Sequence, residues 1–176
     1  MYMQTTDNQE EVFDIVDKSD KVIGQAKRSE VHQKKNLIHR SVAVAVVNSN
    51  NKIFLQRRSI TKDTDALKWT ISCSGHVPAN ESYEQAARRE LDEELKITRV
   101  NLNYLTKYLY ESLQETEMTV LYKAQYDGPI TINIEEILEG NFFNREELVR
   151  AYQTGKLEIN LYGKLALEKL GWLKSN

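Results

Sequence analysis

The chain of 176 residues sets 24 Lys and Arg against 26 Asp and Glu, a net charge of −2. That length favours one domain with a sizeable core, and the near balance of charge excludes a surface-wide field for nucleic acid, so phosphate recognition has to come from a local cluster. Cys73 is the lone cysteine, which excludes an intrachain disulfide; no apolar run is long enough to cross a membrane, and residues 1–10 read as a polar, flexible tail without an apolar leader core, so a cytoplasmic, unanchored protein is expected.

In chain order, residues 11–17 (EVFDIVD) and 21–26 (KVIGQA) predict two strands around the turn Lys18-Ser19-Asp20, with a short helix over 28–35. Residues 41–47 are β-branched and apolar; with the turn 48–51 and residues 52–57 they read as a hairpin. A short strand over 69–74 runs directly into an acidic segment. Residues 102–110 and 116–125 read as paired strands, and Asn144 with Glu147, then Asn160, mark the starts of two C-terminal helices. Only Pro78 and Pro129 interrupt the chain, so nothing signals a linker within residues 1–176. Strands interleaved with helices in this order predict an α/β sandwich with both sheet faces covered.

The acidic segment, GHVPANESYEQAARRELDEELKI from Gly75 to Ile97, carries the chemistry. Ser82 and Gln85 form a capping-box pattern, and Tyr83, Ala87, Leu91 and Leu95 recur every fourth residue as a packing stripe. Glu90, Glu93 and Glu94 then share a second face of the same helix. Like charges at that spacing cost a helix roughly 0.2–0.5 kcal/mol per pair, a cost explained if a divalent cation sits among them. Gly75 allows the backbone to approach a ligand, with its carbonyl as a further metal donor. Taken alone, the helix is equally an amphipathic surface helix with a solvated charged face.

The whole segment resembles the Nudix box, with Gly75, Glu81, Arg89, Glu90, Leu91, Glu93, Glu94 and Ile97 in register. Lys96 departs from it, standing where that family usually has a second glycine. The resemblance implies a Nudix fold, an α/β/α sandwich with a mixed sheet. It also implies Mg²⁺ or Mn²⁺ held by Glu90, Glu93 and Glu94, with water attacking a nucleoside-diphosphate-like substrate. Arg89 is expected to orient the glutamates by pairing with Glu81 or Glu94.

The chain has three histidines, His32, His39 and His76, and a Glu115-Thr116-Glu117 triplet whose two carboxylates point the same way if it is a strand. Singly, each histidine is an ordinary structural or exposed residue; together with the carboxylates they make a ligand set for Zn²⁺, Mn²⁺ or Fe²⁺. The set is similar to that of type I isopentenyl-diphosphate isomerases, Nudix-fold enzymes with two histidines seven residues apart, a third after the first glycine of the box, and a later Glu-x-Glu pair. By the same resemblance Arg28, Arg58 and Lys62 hold the substrate diphosphate. Arg57 joins them as a neighbouring cation, and Tyr108 and Tyr110 are candidate pocket residues.

Two departures weigh against isomerisation. Those isomerases use a cysteine directly before the Gly-His pair, where this chain has Ser74; Cys73 points to the opposite face unless a bulge at 72–74 rotates it. The isomerases also retain few acidic residues of the box, whereas this chain retains all of them. The expectation is therefore hydrolysis of a phosphoanhydride in a small diphosphate substrate, Glu93 orienting or deprotonating water and Glu117 the second choice. The alternatives are an isopentenyl-diphosphate isomerase and a non-catalytic diphosphate-binding or sensor module. The loop over 59–68 and the residues after 151 are expected to select the substrate.

Overall fold

A computed structural model describes residues 7–174. The strands are β1 (Val12–Val16), β2 (Val22–Lys27), β3 (Ile38–Val47), β4 (Ile53–Arg58), β5 (Trp69–Thr70), β6 (Cys73–His76), β7 (Leu102–Glu111), β8 (Thr116–Gln125) and β9 (Ile137–Phe143). The helices are α1 (Arg28–Val31), α2 (Tyr83–Leu95), α3 (Arg145–Gln153) and α4 (Leu161–Lys169). All the strands join one mixed sheet: β8 runs parallel to β3 over its full length, and the other pairings are antiparallel.

Alternation along β3 builds the sandwich. Val42, Val44 and Val46 face α2 and pack with Ala86, Ala87, Leu91 and Leu95, while Ala43, Ala45 and Val47 face the C-terminal helices with Leu148, Ala166 and Leu167. Both faces are thus covered, as expected for an α/β/α sandwich. At α4, a β-carbon on Gly163 would stand 2.8 Å from the Thr70 Cα, so glycine lets that helix lie directly on β5.

The capping residues act where the sequence places them. Ser82 with Gln85 and Asn144 with Glu147 form capping boxes at α2 and α3, and Asn160 accepts from the Gly163 N–H at α4. Lys96 ends α2 at φ 56, the left-handed conformation that glycine adopts most readily, so a lysine there carries a steric cost to the backbone.

The predicted hairpin over 41–57 is a hairpin only at its turn. β3 and β4 meet at Val47 and Ile53 and then diverge, β3 pairing with β6 and β8, and β4 with β5 and β9. Ser72 fills the fork: its Oγ accepts from the Val46 N–H at 2.8 Å and donates to the Phe54 carbonyl. The strand predicted over 69–74 is consequently two strands, changing partner at Ile71 and Ser72. The divergence opens the sheet at the end where α2, the start of β3 and the loop after β4 surround a cleft.

Candidate active-site cleft

Glu90, Glu93 and Glu94 line one wall of that cleft together with Gly75 and Arg89. Their exposure is graded: Glu94 is buried, the Glu90 side chain is 13% exposed and that of Glu93 55%. Arg89 braces the group. It stands 2.7 Å from Glu90, 3.1 Å from Glu93 and 3.1 Å from Glu81, and it donates to the His76 carbonyl. It pairs with Glu81 as expected and not with Glu94, whose Oε2 accepts a 2.7 Å hydrogen bond from the buried Gln56. Burial, and then the charge of Glu94, pushes the Glu90 carboxyl upward; burial also raises Glu94 despite its bond from Gln56. Crowded, desolvated oxygen donors offset by one guanidinium fit a hard divalent cation.

A second cluster lies in the same cleft. The ligand atoms of His32, His39, His76 and Glu115 all lie within 4.8 Å of one another. His32 Nε2 stands 3.0 Å from Glu115 Oε2 without the alignment of a hydrogen bond, and His39 and His76 approach that oxygen to 3.8 Å. His39 is fully buried, and neither of its ring nitrogens has a hydrogen-bond partner among the described residues. Burial, followed by the neighbouring His76, lowers His39 to about 3, so it is a neutral imidazole with a free lone pair. Orphaned nitrogens around a carboxylate fit a cation such as Zn²⁺ or Mn²⁺. His76 is different: Arg28 Nη1 lies 2.9 Å from its Nδ1, and because arginine only donates, the proton resides on Nε2. Ligation through that atom therefore requires Arg28 to leave. Glu117 stands beside the cluster, its Oε1 4.0 Å from His76 Nε2, and burial followed by the Glu115 charge pushes its carboxyl up.

Arg28, Arg58, Lys62 and Ser74 line the cleft, and so do Thr64 and Asp65 of the loop after β4 and Asn160 and Tyr162 near the C-terminus. Arg57 does not. Its guanidinium bonds instead to Glu139 and the Leu67 carbonyl, next to a register shift between Arg57 and Arg58. Tyr108 is also a correction: it packs with the core under α3 and α4, one pleat too far along β7, while Tyr110 reaches the cleft. Of the expected tail, residues 1–6 lie outside the described residues, but Asp7 is packed in the cleft, where its carboxylate meets Lys62 and Arg28.

Cys73 is buried against α2, with Glu94 beside its thiol, and Ser74 is the residue that faces the cleft. No bulge reverses them; β6 keeps regular pairing from Cys73 to His76. Gln56 is a site residue the sequence reading missed. A glutamine directly after the apolar run Ile53 to Leu55, on the same strand as Arg58, was the available signal.

A NUDIX domain model matches residues 37–162. The chain belongs to the Nudix family. An uncharacterized Nudix hydrolase of Nostoc sp. is 38% identical over 151 residues, covering 83% of this chain and 88% of that protein. Isopentenyl-diphosphate Delta-isomerase 2 of Photorhabdus laumondii is 31% identical over 140 residues, covering 77% and 78%. Among solved structures, DR0079 from Deinococcus radiodurans superposes with a TM-score of 0.75 at 25% identity, over 89% of this chain and 97% of that one. The Nudix chain thus has both hydrolases and isomerases among its relatives. No helix among the described residues is long and apolar enough to cross a membrane.

Proposed function

We propose that the protein is a Nudix hydrolase that cleaves a phosphoanhydride in a small diphosphate-containing molecule. The observation that carries this reading is the convergence of Glu90, Glu93 and Glu94 on one wall of a cleft that also holds Arg28, Arg58 and Lys62. Mg²⁺ or Mn²⁺ held by those carboxylates and the Gly75 carbonyl would polarise phosphoryl oxygens and lower the pKa of water. Arg89 and Gln56 fix the carboxylates, and the basic residues anchor the phosphates, the guanidinium forks bonding oxygens in pairs. Glu93 has the solvent access that a water-orienting base needs, whereas Glu117 is buried. The lining beyond the phosphates is polar, including Ser41, Thr64, Asn133 and Asn160, which supports a hydrogen-bonding group over an alkyl chain on the substrate.

A second reading, isopentenyl-diphosphate isomerisation, draws on the histidine cluster and the Photorhabdus relative. It lacks the cleft-facing thiol, because Cys73 is buried behind the strand. A non-catalytic diphosphate-binding module is the third. Incubation with Mg²⁺ and nucleoside diphosphates, nucleotide sugars and isoprenoid diphosphates, followed by ³¹P and ¹H NMR, separates them. New phosphate ester resonances support hydrolysis; double-bond migration without phosphate release, or binding without turnover, overturns it.

A further inference from the structure

The cations that would anchor a diphosphate are already occupied by the protein's own carboxylates. Lys62 Nζ lies 2.5 Å from Asp7 and 2.7 Å from Glu136, and its side chain is only 10% exposed. Arg28, 9% exposed, has Asp7 at 3.6 Å, Asp63 at 3.3 Å and Glu11 at 3.9 Å. Glu11 and Glu136 line the cleft, from the approach to β1 and the turn before β9, and Asp63 stands behind Arg28 on the loop after β4. Asp7 is different, because it alone among these four carboxylates bridges both cations, one oxygen facing Lys62 and Arg28 together. Against burial, which pushes its carboxyl up, the contacts with Lys62 and Asp63 and the charge of Arg28 hold it well below the usual carboxylate range.

We infer that Asp7 is an internal competitor for the substrate's phosphates, a carboxylate that holds Lys62 and Arg28 in the ligand-free protein and is exchanged for phosphate oxygens when substrate binds. The inference rests on the reading of Arg28 and Lys62 as phosphate anchors. Without Asp7, Lys62 keeps Glu136 alone and Arg28 keeps only the contacts with Asp63 and Glu11, so a site that must empty and refill gains from one exchangeable counter-charge shared by both cations. A phosphate carries more charge and more acceptor oxygens than one carboxylate and bonds guanidinium in pairs, so it wins the exchange. The return of Asp7 then favours release of a product that no longer spans both cations.

The test uses inorganic diphosphate as the probe and isothermal titration calorimetry as the readout, on the full chain without added metal. Asp7→Asn keeps the side-chain shape and removes the competing charge. It is expected to bind diphosphate roughly five- to tenfold more tightly than the natural protein, as removal of a competing ligand requires. Equal or weaker binding overturns the inference and makes Asp7 a scaffold for Lys62. Lys62→Ala, measured alongside, separates this from the underlying assignment: if Lys62→Ala leaves diphosphate affinity unchanged, the anchor reading itself fails. A second readout does not depend on a substitution at residue 7. Asn8 is exposed at the cleft and the lone cysteine, Cys73, is fully buried, so Asn8→Cys labels selectively with an environment-sensitive fluorophore. Its emission is expected to change saturably with diphosphate at the calorimetric affinity; an unchanged spectrum at saturation overturns the exchange.

Discussion

Gly75 and Glu90 are in such close contact that a β-carbon on the glycine would stand 2.0 Å from the glutamate Oε1. Strand β6 and helix α2 are held at that separation by buried Ala86, Ala87 and Leu91, so neither backbone retreats easily. Gly75→Ala is therefore expected to push the Glu90 carboxylate aside while the fold persists. A displacement on the order of 1 Å costs about 10²-fold in turnover. The check is turnover beside a circular-dichroism melt: loss of activity in a folded protein fits, and full activity contradicts the role of Glu90.

The positions of Cys73 and Ser74 give a second prediction. Cys73→Ala removes a thiol that does not reach the cleft, so the product pattern with isopentenyl diphosphate and with nucleoside diphosphates is expected to stay the same. Ser74→Cys places a thiol in the cleft instead, and double-bond migration in that variant is the expected gain. ¹H NMR reads both. Loss of an isomerase activity on replacing Cys73 would favour the isomerase reading.

The histidine cluster predicts a metal-linked gain in stability. With Mg²⁺ in excess for the α2 carboxylates, added Zn²⁺ is expected to raise the melting temperature, by about 2.7 kcal/mol of stabilisation at a free concentration 100 times its dissociation constant. His39→Asn, which removes a buried imidazole with both nitrogens unpartnered, is expected to abolish most of that shift. An equal Zn²⁺-induced shift in the variant would place the ion elsewhere.

How far these features were visible beforehand follows the range of the interactions involved. Helix α2 was legible because its cap, apolar stripe and acidic face repeat within one or two turns. The partners of β3 and β4 were not, since both are apolar strands beside a short turn, and only the distant Ser72 wedge parts them. Within the cleft, the resemblance to the isomerases pointed to Arg28, Arg58 and Lys62, which line it, but the sequence did not tell Arg57 from Arg58, whose side chains take different partners at a register shift of β4. Tyr108 and Tyr110 share a face, and only the register of Tyr110 opposite Glu117 carries it to the cleft. Asp7 was read as tail from composition alone, because its partner Lys62 is 55 residues away.

Asp20 gives the pH dependence. Burial pushes its carboxyl up, but hydrogen bonds from Lys107, Arg40 and Tyr83 outweigh this and hold it below the ordinary range. The folded value lies under the unfolded one of about 3.9, so the stabilisation is complete above about pH 5 and is lost as pH falls through the folded value. Asp20→Asn tolerates the native φ of 64 and is expected to flatten the fall in urea midpoint between about pH 5 and pH 3. An unchanged slope would assign the acid sensitivity to other carboxylates.

The most direct measurement is a Mn²⁺ titration by electron paramagnetic resonance, with Zn²⁺ added first to fill the histidine cluster, on the natural protein and on the Glu90→Gln, Glu94→Gln double variant. Anhydride hydrolysis is followed on the same samples. The account predicts that the double variant loses one class of bound Mn²⁺ and that hydrolysis falls with it by about 10²–10⁴-fold, while the circular-dichroism spectrum stays native. Undiminished Mn²⁺ binding and turnover in the folded variant would contradict the assignment of the chemistry to the acidic face of α2.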